Sequence, residues 1–216
     1  MADEEKFNTD TMELRKHAWD VLWSMFSREG EFHPLDYFEE VGDQDKVNFQ
    51  FLMTVMARLL EGRPLARLVV LTNPRGRNSK GILEKMFMSV WGGYYVPARS
   101  TVFLSDKRNE NEHSAAEVNR RGARVAFANE VGTEPWSNAV FKNKNSSDPI
   151  SARGCGSTDV QLIKRTETFV FGMNDPNEWE VPPKGSENDR ITIIYTPNKY
   201  INAGEAPTSP RTKLKD

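Results

Sequence analysis

The chain has 216 residues, a length that accommodates one full domain with an extension. Hydrophobic residues make up 38% and charged residues 28% of it, which is typical of a globular protein and excludes a fibre or a wholly disordered chain. The net charge of -2 is unevenly distributed: residues 1–65 hold 14 acidic and 7 basic residues, and residues 66–216 hold 17 acidic and 22 basic residues. A basic body of this kind suits a partner that carries phosphates.

The sequence predicts no membrane anchor. Its longest apolar runs, 68–71 and 125–128, are far shorter than the roughly 18–20 residues that cross a bilayer, and the amino end is acidic, unlike a secretory signal. Cys155 is the single cysteine, so the chain has no internal disulfide. We therefore expect an intracellular protein of a reducing compartment, with no membrane partner.

The first third of the sequence predicts helices. Asp10 and Glu13 form a capping-box pattern at the start of a helix near 10–28. A second helix is predicted from about Asp45, and Gly62 and Pro64 end it. Its apolar stripe consists of Phe51, Leu52, Val55, Met56, Leu59 and Leu60. We interpret residues 1–65 as an N-terminal helical collar whose role is packing.

Short apolar runs alternate with helical patterns from Arg67 onwards. The predicted strands are 68–72, 102–104, 124–128, 168–172 and 191–195, and the predicted helices between them are 80–91 and 111–121. Alternation of this kind indicates an α/β domain with a mainly parallel sheet flanked by helices, over residues 66–200. Residues 201–216 have no apolar period and are predicted to be a flexible tail.

A glycine-containing loop with a lysine lies between the first predicted strand and the helix that follows it. This context is typical of a Walker A loop, in which backbone N–H groups hold phosphates and a lysine, here Lys80, reaches the β and γ oxygens. Three residues of the loop depart from the Walker A pattern. Pro74 and Ser79 replace glycines, and Gly81 replaces the Ser or Thr that holds Mg²⁺. On these residues alone, a basic turn that opens an ordinary helix remains an alternative.

Three further segments follow the loop in order. They are RGARVAFANEV at 121–131, KNKNSSDPISAR at 142–153 and FGMND at 171–175. Together with Gly76, Asn78 and Lys80 of the loop, this succession resembles the superfamily 3 helicases, and in particular the helicase half of the poxvirus-type and phage-type primase-helicases of large DNA viruses, phages and plasmids. The resemblance covers about residues 45–197 and includes no primase domain.

The resemblance implies a P-loop ATPase core of the AAA+ type, with ATP and Mg²⁺ as cofactors. The nucleotide-binding residues would be Gly76, Arg77, Asn78, Ser79, Lys80 and Gly81. In the implied roles, Lys80 contacts the γ-phosphate, Glu130 is the carboxylate for the metal and water, and Asn174 senses the γ-phosphate. Arg190 is the implied arginine finger, which acts on the nucleotide of a neighbouring subunit and therefore requires a homo-oligomeric ring, expected to be a hexamer.

Lys142, Lys144 and Arg153 lie in the segment that, by the same resemblance, grips single-stranded DNA in the central channel of the ring. No aromatic residue interleaves them, so we expect contact with phosphates and no reading of bases. The small residues at 154–157 suit the tip of a hairpin. The implied process is viral or mobile-element DNA replication in a host cytoplasm or nucleus, where a separate primase is a further candidate partner.

Three functions remain open at this level. The leading one is an ATP-dependent DNA helicase that moves along single-stranded DNA. The second is a degenerate P-loop protein that acts as a ring component or DNA-binding scaffold without motor activity, which the departures at Pro74, Ser79 and Gly81 favour. The third, a small-molecule kinase, lacks an arginine-rich lid segment at the expected place.

Overall fold

The computed structural model describes residues 20–22, 24–26, 44–74, 76–77, 79–99, 101–103, 115–129, 137–175, 185–206 and 212–214. The chain divides into two compact units. The larger comprises residues 54–74 and 80–195, and the smaller comprises residues 1–53, 75–79 and 196–216. The boundaries predicted from the sequence, at 65/66 and 200/201, stay a prediction.

The described helices are α1 (Gln44–Leu60), α2 (Lys80–Trp91), α3 (Ala115–Asn119) and α4 (Asn138–Lys144). The strands are β1 (Leu68–Thr72), β2 (Tyr95–Pro97), β3 (Val125–Asn129), β4 (Ile150–Arg153), β5 (Val160–Ile163), β6 (Thr168–Met173), β7 (Ile191–Tyr195), β8 (Lys199–Ile201) and β9 (Thr212–Leu214). Short 3₁₀ turns at Gly92–Tyr94 and Gly185–Arg190 precede β2 and β7.

The larger unit is built on a five-stranded sheet in the order β2-β3-β6-β1-β7. Every neighbouring pair is parallel. All five residues of β1 and all six of β6 are buried, which is expected when helices cover both faces of a parallel sheet. The predicted α/β fold with a mainly parallel sheet flanked by helices is therefore confirmed.

Aromatic side chains seal the two faces of this sheet. On one face, Phe87 of α2 packs against Phe127 of β3, with ring centroids 5.7 Å apart. On the other face, the Phe103 ring lies 5.1 Å from Phe141 of α4 and 5.2 Å from Phe169 of β6. Because successive side chains of a strand point to opposite faces, this two-sided packing explains the unbroken apolar runs in the sequence.

Most predicted elements of the larger unit occur within a residue of their expected bounds. Helix 80–91 and strands 68–72 and 191–195 coincide with α2, β1 and β7. Helix α3 falls inside the helix predicted at 111–121, of which residues 111–114 lie outside the described part.

The strand predicted at 102–104 is wrong. Residues 101–103 form a turn, in which the N–H of Val102 donates to the carbonyl of Arg99 at 3.1 Å, and residue 104 is outside the described part. Phe103 is nonetheless fully buried in the core. A core residue such as Phe103 can thus come from a turn, and the edge strand that pairs with β3 is β2.

Strands β4 and β5 form an antiparallel hairpin that stands apart from the main sheet. Ile150 pairs with Ile163 at its base, and Arg153 pairs with Val160 next to its tip. Gly156 at the tip adopts a φ of 75°, which glycine reaches at little cost. The hairpin predicted around residues 154–157 is confirmed.

The described part of the smaller unit contains the first part of α1 and the strands β8 and β9. The rings of Phe26 and Phe49 meet edge to face at 5.7 Å, and Asn198 Nδ2 donates to the Ser24 carbonyl at 2.7 Å. Strand β8 pairs with β9 in parallel, so the segment predicted as a flexible tail contains one strand. Phe49 is buried where the predicted stripe had Phe51, which is exposed. The first predicted helix, at 10–28, lies largely outside the described residues.

Candidate functional site

The carboxyl ends of β1 and β6 mark the place where the order of the sheet changes direction. From β1 the chain crosses to β2 on one side, and from β6 it crosses over β1 to β7 on the other side. Ligands of open α/β sheets bind in the crevice that such a change creates. We name this place the β1–β6 edge, and functional side chains are expected there.

Two predicted site residues meet at the β1–β6 edge. Lys80 begins α2, and its Nζ donates to the side-chain Oδ1 of Asn174 at 2.8 Å and to the carbonyl of Met173 at 3.0 Å. Thr72, the last residue of β1, donates from Oγ1 to the carbonyl of Asn174 at 2.7 Å. The lysine of the loop motif and the asparagine of the FGMND motif are thus in direct contact, although 94 positions separate them.

A second polar group adjoins Lys80. Asn129, which ends β3, donates from Nδ2 to Glu84 Oε2, and the hydroxyl of Tyr95 donates to Glu84 Oε1 at 2.9 Å. Burial, followed by the hydrogen bond and the negative charge of Glu84, raises the pKa of Tyr95 well above its ordinary value. We did not predict Glu84 from the sequence, and its position four residues after Lys80 on α2 is the signal that could have found it.

The loop residues 76, 77 and 79 belong to the smaller unit. Gly76, Arg77 and Ser79 have φ values of 62°, 46° and 67°, so all three adopt the left-handed conformation. Ser79 stands where the Walker pattern has glycine, and it adopts the backbone conformation that glycine usually supplies. Arg77 Nη1 contacts Glu205 at 2.6 Å. Asn78 lies outside the described residues.

Gly81 is exposed on the first turn of α2, and a Cβ built on it meets no atom within 4 Å. Glu130, the predicted carboxylate for Mg²⁺, lies outside the described residues, so its role stays a prediction. Within the described ranges, no three His, Cys, Asp or Glu side chains come together as metal ligands.

The predicted DNA-binding residues have different environments. Lys142 Nζ contacts Glu187 at 2.7 Å, and its side chain is 43% exposed. Lys144, which is only 13% exposed, forms an ion pair with Glu117. Arg153 is half-buried beside the hairpin tip. The burial of Lys144 weighs against its predicted contact with a DNA backbone, because its ammonium group already forms an ion pair with Glu117.

Lys144 belongs to a cluster of covered charges, which we name the hairpin-base cluster. Its members are Glu117, Arg120, Lys144, Arg165 and Glu167. Arg120 Nη2 lies 2.5 Å from Glu117 Oε2, and Arg120 Nε lies 3.8 Å from Glu167 Oε1. The Arg165 guanidinium donates to the carbonyl of Lys144 at 3.0 Å and to Asn143 Oδ1 at 2.8 Å. The cluster therefore ties α3 and the end of α4 to the segment that enters β6.

Burial and charge compete in the hairpin-base cluster. Burial raises the pKa of Glu117, but Arg120 and Lys144 together outweigh burial and hold that pKa below its ordinary value. Burial lowers the pKa of Lys144, and the carboxylate of Glu117 opposes this effect. The sequence carries only a weak signal for the cluster, the spacing of Glu117 and Arg120 by three residues on a helix.

Arg190, the predicted arginine finger, is half-buried at the end of the 3₁₀ turn before β7. Its Nη1 donates to two carbonyls at the carboxyl end of α4, those of Lys142 at 3.1 Å and Asn145 at 3.0 Å. A cation at this position satisfies carbonyl groups that the helix leaves open and complements the helix dipole. Arg190 is thus bonded within its own chain, and its role toward a neighbouring subunit stays a prediction.

No family model and no curated protein matches the chain. Among solved structures, the chain is similar to the apo C-terminal region of NrS-1 in its A form, with 11% identity, a TM-score of 0.51 and coverage of 89% of this chain. A second apo A-form structure of that region has 12% identity, a TM-score of 0.42 and coverage of 77% of this chain. The chain spans about two fifths of these neighbours' length, 40% and 41%. At such identity, the first likeness shows the fold alone.

Over the described part of the chain, no helix has both the length and the apolar character that are needed to cross a membrane.

Proposed function

We propose that this chain is the P-loop ATPase core of a superfamily 3 DNA helicase, which moves along single-stranded DNA as a homo-oligomeric ring, expected to be a hexamer, in viral or mobile-element DNA replication. One observation carries the proposal: Lys80 Nζ lies 2.8 Å from Asn174 Oδ1 at the β1–β6 edge. Two motifs that are distant in sequence therefore meet where an α/β sheet binds its ligands. The helicase half of a primase-helicase has both residues in these motifs.

The donor groups at this edge fit a triphosphate. Lys80 lies at the amino end of the twelve-residue helix α2, where free backbone N–H groups and the helix dipole attract anions. Phosphate oxygens that approach this end would accept from Lys80 Nζ in place of Asn174 and Met173, and the carboxamide of Asn174 would then be available to orient a water molecule. Bound Mg²⁺ supplies neutralisation of the charge that develops on the phosphates.

Glu130 follows Asn129 in the sequence and would provide the carboxylate for that metal ion. Gly81 offers no hydroxyl, but Mg²⁺ usually keeps several waters and needs only one or two protein carboxylates besides phosphate oxygens. Gly76, Arg77, Asn78 and Ser79 would contribute the backbone of the phosphate loop. The left-handed φ of Ser79 supports this assignment, because it is the backbone conformation of the glycine that serine replaces.

The second candidate is a ring component or DNA-binding scaffold without motor activity. Gly81 favours it, since the position of the metal-binding hydroxyl carries no side chain. The separating measurement is the rate of ATP hydrolysis by the purified chain at low salt, with and without single-stranded DNA. A helicase core gives turnover that DNA stimulates, whereas DNA binding without turnover supports the scaffold.

Lys80→Ala is the direct test of the nucleotide site. We expect it to weaken ATP binding at least about tenfold, because a charge-assisted contact with phosphate is lost, and to lower the unfolding free energy by about 1 kcal/mol or less. Lys85→Ala, on the exposed side of the same helix, is the matched control and should bind ATP as the wild type does. Equal ATP affinity in both variants would contradict the P-loop assignment.

A further inference from the structure

The carboxylate of Glu84 fixes which way the carboxamide of Asn129 points. An ionised carboxylate only accepts hydrogen bonds, so the contact with Glu84 Oε2 requires the Nδ2 amide of Asn129. The hydroxyl of Tyr95 occupies the other carboxylate oxygen, at 2.9 Å. The chain of contacts from Tyr95 through Glu84 to Asn129 therefore connects β2, α2 and β3, and it turns the carbonyl oxygen Oδ1 of Asn129 away from the carboxylate of Glu84.

The oxygen that is turned away lies beside Lys80. A Cβ built on Gly172 of β6 would be 2.8 Å from Asn129 Oδ1 and 3.5 Å from Lys80 Cδ. Both groups thus occupy the space next to Gly172, which pairs in register with Asn129 on one side and with Leu71 on the other. A side chain at residue 172 would force Asn129 to move.

We infer that Glu84 is a positioning residue of the nucleotide site: it holds Asn129 with its carbonyl oxygen, and not its amide nitrogen, facing the space beside Lys80. This inference rests on the proposed function. Asparagine stands at a strand end where many ATPases carry a second acid, and only its carbonyl oxygen can replace an acid as an acceptor for a hydrated Mg²⁺. Glu84 acts through Asn129 in the way that outer-shell carboxylates orient metal ligands.

The exposure of this group makes the role testable. Asn129 is exposed and the contact between Tyr95 and Glu84 is only partly buried, so neither hydrogen bond contributes much to the stability of the fold. Glu84→Gln keeps the size of the side chain and removes its charge. It replaces one of the two accepting carboxylate oxygens by an amide group that only donates. We expect the remaining carbonyl oxygen to stay with the hydroxyl of Tyr95 and the amide group to face Asn129, which favours the flipped carboxamide of Asn129.

The experiment measures ATP affinity by calorimetry for the full chain, in Mg²⁺ and in EDTA. In Mg²⁺ we expect Glu84→Gln to bind ATP about 10–100-fold more weakly than wild type, with less than about a twofold change in EDTA. The double variant Glu84→Gln with Asn129→Asp should recover most of the affinity, because the amide of residue 84 then donates to a carboxylate at residue 129. Glu61→Gln, in an exposed ion pair with Arg58, is the control.

A second readout needs no nucleotide. The side-chain amide of Asn129, assigned by its absence from the Asn129→Asp spectrum, should shift in the ¹H–¹⁵N spectrum of Glu84→Gln because its charge-assisted hydrogen bond is lost. The inference is overturned if Glu84→Gln binds Mg²⁺ with ATP as the wild type does, or if this resonance stays in place. A wild-type chain that binds no ATP in either condition overturns the proposed function itself, and with it the role of Glu84.

Discussion

The β1–β6 edge and the hairpin-base cluster both contain charged groups, and they differ in what surrounds those groups. At the edge, Lys80 contacts a carboxamide and a backbone carbonyl in a partly exposed setting. In the cluster, Arg120 is 8% exposed and Lys144 is 13% exposed, and both face Glu117. Partly exposed acceptors such as these can be replaced by phosphate oxygens, whereas the covered cations of the cluster are enclosed with the carboxylate that they face.

The difference has an energetic cause. Ions that are removed from water lose solvation, and they remain charged only where partners and hydrogen bonds compensate for the loss. In the hairpin-base cluster, ion pairs across α3, α4 and the entry to β6 supply part of this compensation, while Arg120 Nε and Arg165 Nε have no hydrogen-bond partner among the described residues. The ion pairs connect the segments on either side of the hairpin. Lys80 keeps access to solvent. The same residue types thus serve structure in one region and are available for ligand binding in the other.

Arg190→Ala tests the assignment of Arg190 and has the largest expected effect. If the predicted finger role is correct, hydrolysis of ATP falls by about 10³ to 10⁵ while ATP still binds. The two carbonyls of α4 also lose their donor, so we expect the unfolding free energy to fall by about 1.5–3 kcal/mol. Hydrolysis rates and denaturant unfolding measure the two effects separately.

Mixing distinguishes a finger from a helix cap. Arg190→Ala subunits and Lys80→Ala subunits each retain what the other lacks, so mixed rings should regain turnover if Arg190 serves a neighbouring site. If mixed rings form without any recovery, Arg190 is a cap of α4 and belongs with the hairpin-base cluster. Unchanged stability of Arg190→Ala would instead show that its contacts with α4 contribute nothing.

Glu117→Ala tests the structural role of the hairpin-base cluster. It leaves Lys144 covered without its carboxylate and Arg120 with the more distant Glu167 alone, and we expect the unfolding free energy to fall by about 3–5 kcal/mol. Glu61→Ala, which breaks the exposed pair with Arg58, is the matched control and should cost at most about 1 kcal/mol. If both variants lose the same unfolding free energy, burial does not make the ion pairs of the cluster stronger than an exposed surface pair.

The pH dependence of Glu117 has a defined sign. Its folded pKa lies below the ordinary value of 4.5, so its stabilising contribution is complete above that value and is lost as the pH falls through the lower, folded pKa. Urea unfolding from neutral to acidic pH should therefore show a smaller acid-induced loss for Glu117→Gln than for the wild type. If the unfolding free energy of Glu117→Gln falls with decreasing pH as steeply as that of the wild type, Glu117 is not a source of the acid-induced loss.

Lys142→Ala and Lys144→Ala compare a partly exposed lysine with a largely buried one, and their expected effects are smaller than those of the variants above. We expect Lys142→Ala to weaken single-stranded DNA binding equally for all sequences and to reduce the log-log salt slope by about 0.7, because one phosphate contact is lost. Lys144→Ala should leave this slope unchanged and lower the unfolding free energy. Arg153→Ala, beside the hairpin tip, should behave like Lys142→Ala in a filter-binding titration against salt. A slope change in Lys144→Ala would contradict the structural assignment of that residue.

Sequence patterns predicted the elements of the sheet wherever both faces of a strand are buried. β1, β3 and β6 were found from consecutive buried apolar residues, because helices cover this part of the sheet on both sides. The edge strand β7 was also found from its apolar run, although Ile193 and Tyr195 are exposed. The same rule failed at 102–104, where Phe103 enters the core from a turn. It also missed β2, since its three residues are at most half-buried. A short apolar run therefore does not by itself distinguish a strand from a turn that places one side chain in the core.

The order of the motifs and the apolar runs of the core strands can be read from the chain itself, because each depends on residues that are close in sequence. Which polar side chains meet was decided by the tertiary structure. The contacts of Lys80 with Asn174, Glu84 with Asn129, Lys144 with Glu117 and Arg190 with α4 join residues that lie 27 to 94 positions apart. Their roles depend on how far each side chain is buried from solvent and on which groups face it, and both arise only when the sheet and its helices assemble.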